Sequence, residues 1–66
     1  MADRASYRVE FRQANQIRVL AEDLDAKPHR RALDPFVSRL KLEGKTGEVL
    51  LIERATGAVV ARQKVA

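Results

Sequence analysis

The side chains with the clearest chemical potential in this sequence are basic. Lys27, Arg30 and Arg31 fall within five residues around a proline, which disfavours a continuous helix at that point. Arg8 and Arg12 alternate with apolar residues near the N-terminus, so a strand would place both on one exposed face. Guanidinium groups bind phosphates and carboxylates through two hydrogen bonds at once. The sequence therefore predicts an anion-binding surface formed by Lys27, Arg30, Arg31, Arg8 and Arg12.

The same charges also have a purely structural interpretation. Glu22, Asp23 and Asp25 directly precede the basic cluster, and Glu10 lies between the two N-terminal arginines. Opposite charges this close in sequence can simply neutralise each other on a solvated surface. Tyr7 and Phe11 belong to the predicted core rather than to the charged face, so no base-stacking platform for single-stranded nucleic acid is predicted.

Catalytic and metal chemistry find little support in the residue types. His29 is the only histidine, the chain has no cysteine, and no nucleophile motif surrounds any serine or threonine. Gly44-Lys45-Thr46 resembles the end of a phosphate-binding loop, but the position of the required earlier glycine is occupied by Arg39. We therefore predict that the protein is not an enzyme and uses no cofactor or metal.

Length and composition limit what must position these side chains. The 66 residues, 45% hydrophobic and 33% charged with a net charge of +4, predict one small domain over 1–66, with residues 1–5 disordered. No apolar run approaches the roughly 20 residues that span a bilayer, and no segment resembles a signal peptide. We expect a cytoplasmic protein without membrane contact. A homodimer is an open alternative, because so small a core without disulfides is marginal.

The first half of the chain contains one clear strand and one contested segment. Tyr7, Val9 and Phe11 alternate with polar residues, which predicts a strand over 6–12. Apolar residues of 15–26 follow helical spacing, so a helix is favoured there, burying Leu24 on the same face as Ile17 and Leu20. The alternative for this segment is a strand that pairs back onto 6–12.

The second half is predicted to form a three-stranded meander. Strict alternation after Pro35 favours a strand over 38–43 rather than a helix that begins at Asp34. Strands over 48–54 and 58–65 flank a turn in which Gly57 takes a left-handed conformation, with Glu48 opposite Lys64. The predicted fold class is α+β, with a small antiparallel sheet and one helix on one face. A small all-β barrel is the alternative.

Two functions remain open at this stage. The unbroken apolar run of 49–52 needs cover on both faces, which favours a small non-catalytic protein-interaction module acting through a sheet face or edge. Such a module would be a regulator, an inhibitor or an assembly subunit. The alternative is a small basic nucleic-acid-binding protein that uses its arginine and lysine cluster on phosphates.

Overall fold

The computed structural model describes residues 6–25 and 29–65, so the disorder predicted for 1–5 lies outside the described residues. Its strands are β1 (Ser6–Gln13), β2 (Gln16–Asp25), β3 (Gly47–Glu53) and β4 (Val59–Val65). They form one open antiparallel sheet in the order β2-β1-β3-β4. Between β2 and β3, a short 3-10 helix (Arg30–Leu33) continues directly into helix α1 (Asp34–Leu42). The predicted α+β class is confirmed, and the alternative closed barrel is excluded.

The hydrophobic core lies between this helical segment and one face of the sheet, which we call the inner face. Strand side chains alternate between the two faces, so every second apolar residue of β1 and β3 reaches the core. Leu33 from the 3-10 helix and Leu51 from β3 are both fully buried at its centre. The buried members of the core are Tyr7, Val9, Phe11, Leu33, Val37, Leu40, Val49, Leu51 and Val65.

The helix predicted over 15–26 is wrong, because this segment is strand β2. A two-residue turn at Ala14 and Asn15 brings Gln16 opposite Gln13, and β2 then pairs along β1. Strand pairing satisfies the backbone groups and places β-branched side chains on a pleated surface, which outweighs a weak helical preference. The open alternative of a strand that folds back onto β1 is therefore the correct one.

Irregularities in the β1–β2 ladder explain why β2 looks helical in the sequence. The register shifts between Tyr7 and Val9 and again between Val9 and Glu10, so extra residues interrupt the strict alternation of β2. Leu20 and Leu24 consequently both pack against the core, although their spacing is that of a helix face. Ile17 does not join them, since 64% of its surface is exposed.

The strand predicted over 38–43 is also wrong, because these residues belong to α1 and the following turn. Val37 and Leu40 are buried at helical spacing from Leu33, and the inner face of the sheet covers all three. Leu42, which completed the apparent alternation, is 89% exposed. Pro35 suits the first turn of a helix, where its missing N–H costs nothing. β3 therefore pairs with β1, not with 38–43.

The predicted β3–β4 hairpin is present with most of its register. Glu48 lies opposite Lys64 and Leu50 opposite Arg62, as expected from the sequence. The register then shifts by one residue, so that Ile52 pairs with Val59 rather than Val60. Both faces of β3 are buried, because Leu50 and Ile52 on the face opposite the core are only 2% and 3% exposed.

Gly57 provides a direct test of this hairpin, because its φ angle is +76°. The Gly57 N–H donates a 2.7 Å hydrogen bond to the Glu53 carbonyl oxygen, which fixes the turn. We expect Gly57→Val to lower the free energy of unfolding by about 1 kcal/mol or more, since β-branched residues tolerate positive φ poorly. Gly57→Asn should cost less, because asparagine visits this region more readily. Urea denaturation measures both effects, and an unchanged midpoint for the valine variant would contradict the turn assignment.

Candidate interaction surface

The face of the sheet opposite the helical segment, which we call the outer face, gathers most of the strand charges. Residues directly opposite each other on neighbouring strands share a face, so the register identifies its members. No helix or strand of the described residues packs on this face. The outer face consists of Ser6, Arg8, Glu10 and Arg12 of β1, Ile17, Val19 and Asp25 of β2, Glu48, Leu50 and Ile52 of β3, and Val59, Arg62 and Lys64 of β4.

Acidic and basic side chains alternate across the outer face from strand to strand. Glu48 lies between Arg12 on β1 and Lys64 on β4, which are its direct cross-strand partners. In the neighbouring row, Leu50 lies between Glu10 and Arg62. Long arginine and lysine stems cover apolar neighbours while their charged ends stay in water. This arrangement combines a buried apolar centre with a charged perimeter.

Glu10 is the best-satisfied charge on the outer face and is only 7% exposed. Its Oε1 accepts hydrogen bonds from Nε and Nη2 of Arg12 at 3.3 and 3.2 Å. The Nε of Arg8 lies 2.9 Å from Oε2, close enough for an ion pair. This Nε is itself buried, and its N–H has no aligned hydrogen-bond acceptor among the described residues. A buried carboxylate requires such cationic partners, so part of the charge of both arginines serves the fold.

Glu48 is paired much more loosely than Glu10. Its Oε2 lies 4.0 Å from Nε of Arg62, whose side chain is 70% exposed. Lys64, the cross-strand partner of Glu48, lies on the edge strand β4 together with Arg62 and is also exposed. Exposed pairs of this kind contribute about 0–1 kcal/mol, so little holds these side chains in place. Arg62 and Lys64 are therefore the cations of the outer face that can most readily turn to an external anion.

Exposed apolar side chains border the charged rows on both sides. Ile17 and Val19 lie opposite Arg12 and Glu10 on β2. Val59 and Val60 occupy the start of β4 at the other edge of the sheet and are 45% and 37% exposed. Exposed apolar surface bordered by polar and charged side chains is a common property of surfaces that bind other proteins.

The structure separates the basic residues that the sequence grouped into one anion-binding surface. Arg8 and Arg12 lie on the outer face, whereas Arg30 and Arg31 lie in the 3-10 helix. Leu33 of that helix is buried in the core, so Arg30 and Arg31 belong to the helical layer on the inner side. Lys27 lies outside the described residues. The two groups of basic residues thus occupy opposite sides of the sheet.

His29 and the glycine-lysine-threonine segment have structural roles. The Nδ1 atom of His29 accepts a 3.1 Å hydrogen bond from the backbone N–H of Arg31, which caps the 3-10 helix. Lys45 follows the end of α1, and its N–H donates to the carbonyl oxygen of Leu40. Within 6–25 and 29–65, no group of three or more histidine, cysteine or acidic side chains is arranged to hold a metal ion.

Arg62 and Lys64 are the residues of this surface that the sequence analysis missed. Their outward orientation follows from the predicted pairing of Glu48 with Lys64, so part of the signal was present. The pairing of β1 with β3 was not predicted, and only this pairing brings Arg8 and Arg12 onto the same face as Arg62 and Lys64.

Comparisons with known proteins add no assignment to this geometry. No protein-family model matches the chain, and no curated protein or solved structure gives a significant match to it. Among the helices that the structure describes, none has the length and apolar character needed to cross a membrane.

Proposed function

We propose that this protein is a non-catalytic interaction module whose outer face binds an acidic surface on a protein partner. The observation that carries the proposal is the collection of four basic side chains around the buried Leu50 and Ile52 on one open sheet face, where Glu10 and Glu48 are the carboxylates of β1 and β3. These basic residues are Arg8, Arg12, Arg62 and Lys64. The proposal assigns no catalytic residue, cofactor or metal, and it places the protein in the cytoplasm.

The charge balance of the outer face supports an acidic partner. Glu10 neutralises part of the charge of Arg8 and Arg12. Glu48 forms a loose ion pair with Arg62 and lies opposite Lys64. On β1, β3 and β4, four outer-face cations meet two carboxylates, which leaves a local surplus of two positive charges, whereas Asp25 of β2 lies opposite Ser6 at the far end of the face. Complementary charge speeds association and selects partners more than it adds raw affinity. A second copy of the chain would bring the same positive surplus to this face, so a different, acidic protein is the better partner.

The apolar borders support a protein rather than a nucleic acid. Ile17, Val19 and Val59 expose surface that a protein partner can bury, whereas phosphates offer nothing apolar. Tyr7 and Phe11 are 3% exposed in the core, so neither can stack on a base from the outer face. Binding to nucleic-acid phosphates is therefore the alternative outcome that the test must distinguish.

The exposed cations of β4 allow a test with matched charge. We expect Arg62→Gln combined with Lys64→Gln to weaken binding of a labelled acidic peptide by about fivefold to tenfold, from two exposed charge pairs. The probe is a helical peptide with glutamates on one face and leucines on the other. Lys41→Gln combined with Lys45→Gln removes the same charge from exposed positions elsewhere and should change the affinity less than about twofold. Fluorescence anisotropy measures each affinity.

Two results would contradict the proposal. The first is a larger loss of peptide affinity for Arg30→Gln combined with Arg31→Gln than for Arg62→Gln combined with Lys64→Gln. That loss would assign binding to the helical layer. The second is tighter binding of a short DNA duplex than of the peptide, with a slope of log K against log salt that falls by about 0.9 for each lost phosphate contact. That result would establish the nucleic-acid alternative.

A further inference from the structure

A groove of about 370 Å³ separates β2 from the C-terminal half of α1 on the inner side of the sheet. It is independent of the outer face, and its volume falls at the low end of ligand-binding clefts, which are roughly 300–1,000 Å³. Its apolar floor contains the buried Leu40 and the half-buried Leu20 and Phe36. The complete lining is Arg18, Leu20, Phe36, Arg39, Leu40 and Glu43.

The groove exists because α1 has a second face beside the one that enters the core. Phe36, Arg39, Leu40 and Glu43 follow one another at helical spacing, so they form a continuous stripe along α1. On the inner face, the helical segment packs mainly on β3 and β4, which lie toward the sheet edge opposite β2. The stripe therefore faces Arg18 and Leu20 of β2 across the groove.

Among the strands that the structure describes, β2 is an edge strand and pairs with β1 alone. The backbone groups along its other edge point away from the sheet, as they do in every edge strand. Its first residues, from Gln16 to Val19, pair with β1 in unbroken register, whereas the register shifts lie farther along the strand. The regular part of the free edge thus borders the groove through Arg18.

We propose that the first half of β2 accepts an extended acidic peptide segment of a partner protein as a fifth strand. Side chains of an added strand would alternate between the groove and the outer face. An apolar side chain would enter between Leu20 and Phe36, and flanking carboxylates would face the guanidinium groups of Arg18 and Arg39.

The distribution of charge supports this occupant. Arg39 is only loosely paired with Glu43, at 3.9 Å, and its side chain is 84% exposed. Two arginines against one glutamate leave the groove positive. The second half of β2 carries Glu22 and Asp23, which would repel an acidic strand from the irregular part of the edge. Charge and strand regularity therefore select the same stretch of β2.

The test uses a blocked octapeptide of sequence Thr-Val-Glu-Val-Leu-Val-Glu-Thr, titrated into ¹⁵N-labelled protein and followed by NMR. We expect the largest shifts at Gln16–Leu20 and along the helical stripe. Arg18→Glu combined with Arg39→Glu should weaken binding by about tenfold or more, since both attractions become repulsions. Lys41→Glu combined with Lys45→Glu carries the same charge change at exposed positions outside the groove and should leave this affinity within about twofold.

A second pair of peptides tests strand addition itself. One peptide is N-methylated at its odd-numbered residues and the other at its even-numbered residues. Only one of the two loses the N–H groups that would pair with β2, and only that peptide should fail to bind. Absence of shifts at millimolar peptide, equal binding of both methylated peptides, or shifts confined to the outer face would each overturn the inference. Because the proposed function depends on Arg62 and Lys64, its failure and the failure of this inference are distinguishable.

Discussion

Gly47→Ala is expected to lower the free energy of unfolding by about 3 kcal/mol or more, because overpacking and backbone strain act together. Gly47 has a φ angle of +156° at the start of β3. An added Cβ would lie 2.6 Å from the carbonyl oxygen of Arg12 and 2.7 Å from the ring of Phe11. The first contact is with the backbone of the neighbouring strand and the second is with a buried ring. Neither group can move without disturbing the β1–β3 ladder or the core.

Gly44→Ala provides the matched control, because Gly44 also has positive φ but open surroundings. Its φ angle is +73°, and apart from its chain neighbours no atom of the described residues lies within 4 Å of an added Cβ. Backbone strain alone should then cost about 1 kcal/mol. Urea denaturation of both variants gives the difference directly. Equal destabilisation would mean that β1 and β3 do not approach each other at Gly47 as described.

Leu33→Ala is expected to have the second-largest effect, about 2–5 kcal/mol, as for other fully buried leucines. Leu33 is 0% exposed and joins the helical segment to the core. Losing its side chain would leave a cavity between the 3-10 helix and the inner face of the sheet. A domain this small has little net stability, so the variant should be largely unfolded at modest urea concentrations.

Leu42→Ala is the control for the same substitution in the same helical segment. Leu42 is 89% exposed, so its truncation should change stability by no more than about 0.5 kcal/mol. Both variants truncate a leucine of the helical segment, but Leu33 faces the core and Leu42 faces solvent. If both unfold at the same urea concentration, the helical segment does not pack on the sheet through Leu33.

Local interactions were the predictable part of this fold. The β3–β4 hairpin follows from residues adjacent in sequence: a glycine at the left-handed position, apolar strands on both sides, and the Glu48–Lys64 pair. The fold class was also predictable, because alternation and total apolar content limit a short chain to a few arrangements. What failed was the assignment of the helix and of one strand to their segments.

Both errors arose from short apolar patterns that fit two structures. In β2, register shifts bring Leu20 and Leu24 to the same side, which imitates helical spacing. In α1, the exposed Leu42 completes a false alternation with Leu40. Tertiary pairing with β1 decides the first case and burial against the inner face decides the second, and neither is visible within a local window.

The candidate surface was only half predictable for the same reason. Arg8 and Arg12 were identified because alternation within one strand places them outward. Arg8 and Arg12 lie on the same face as Arg62 and Lys64 because β1 pairs with β3, and these two segments are far apart in sequence. Arg30 and Arg31 were grouped with Arg8 and Arg12 by charge alone, and the structure places them in the helical layer on the other side of the sheet.

The most direct test of the proposed function is the set of amide shifts that the helical acidic peptide causes in ¹⁵N-labelled protein. A helical probe cannot add to the sheet as a strand, so its shifts report the outer face separately from the β2 groove. We predict that the largest changes fall on Arg12, Leu50, Arg62 and Lys64, while Arg30 and Arg31 stay unchanged. Largest changes on the helical segment, or none at saturating peptide, would contradict the proposal that the outer face binds the partner.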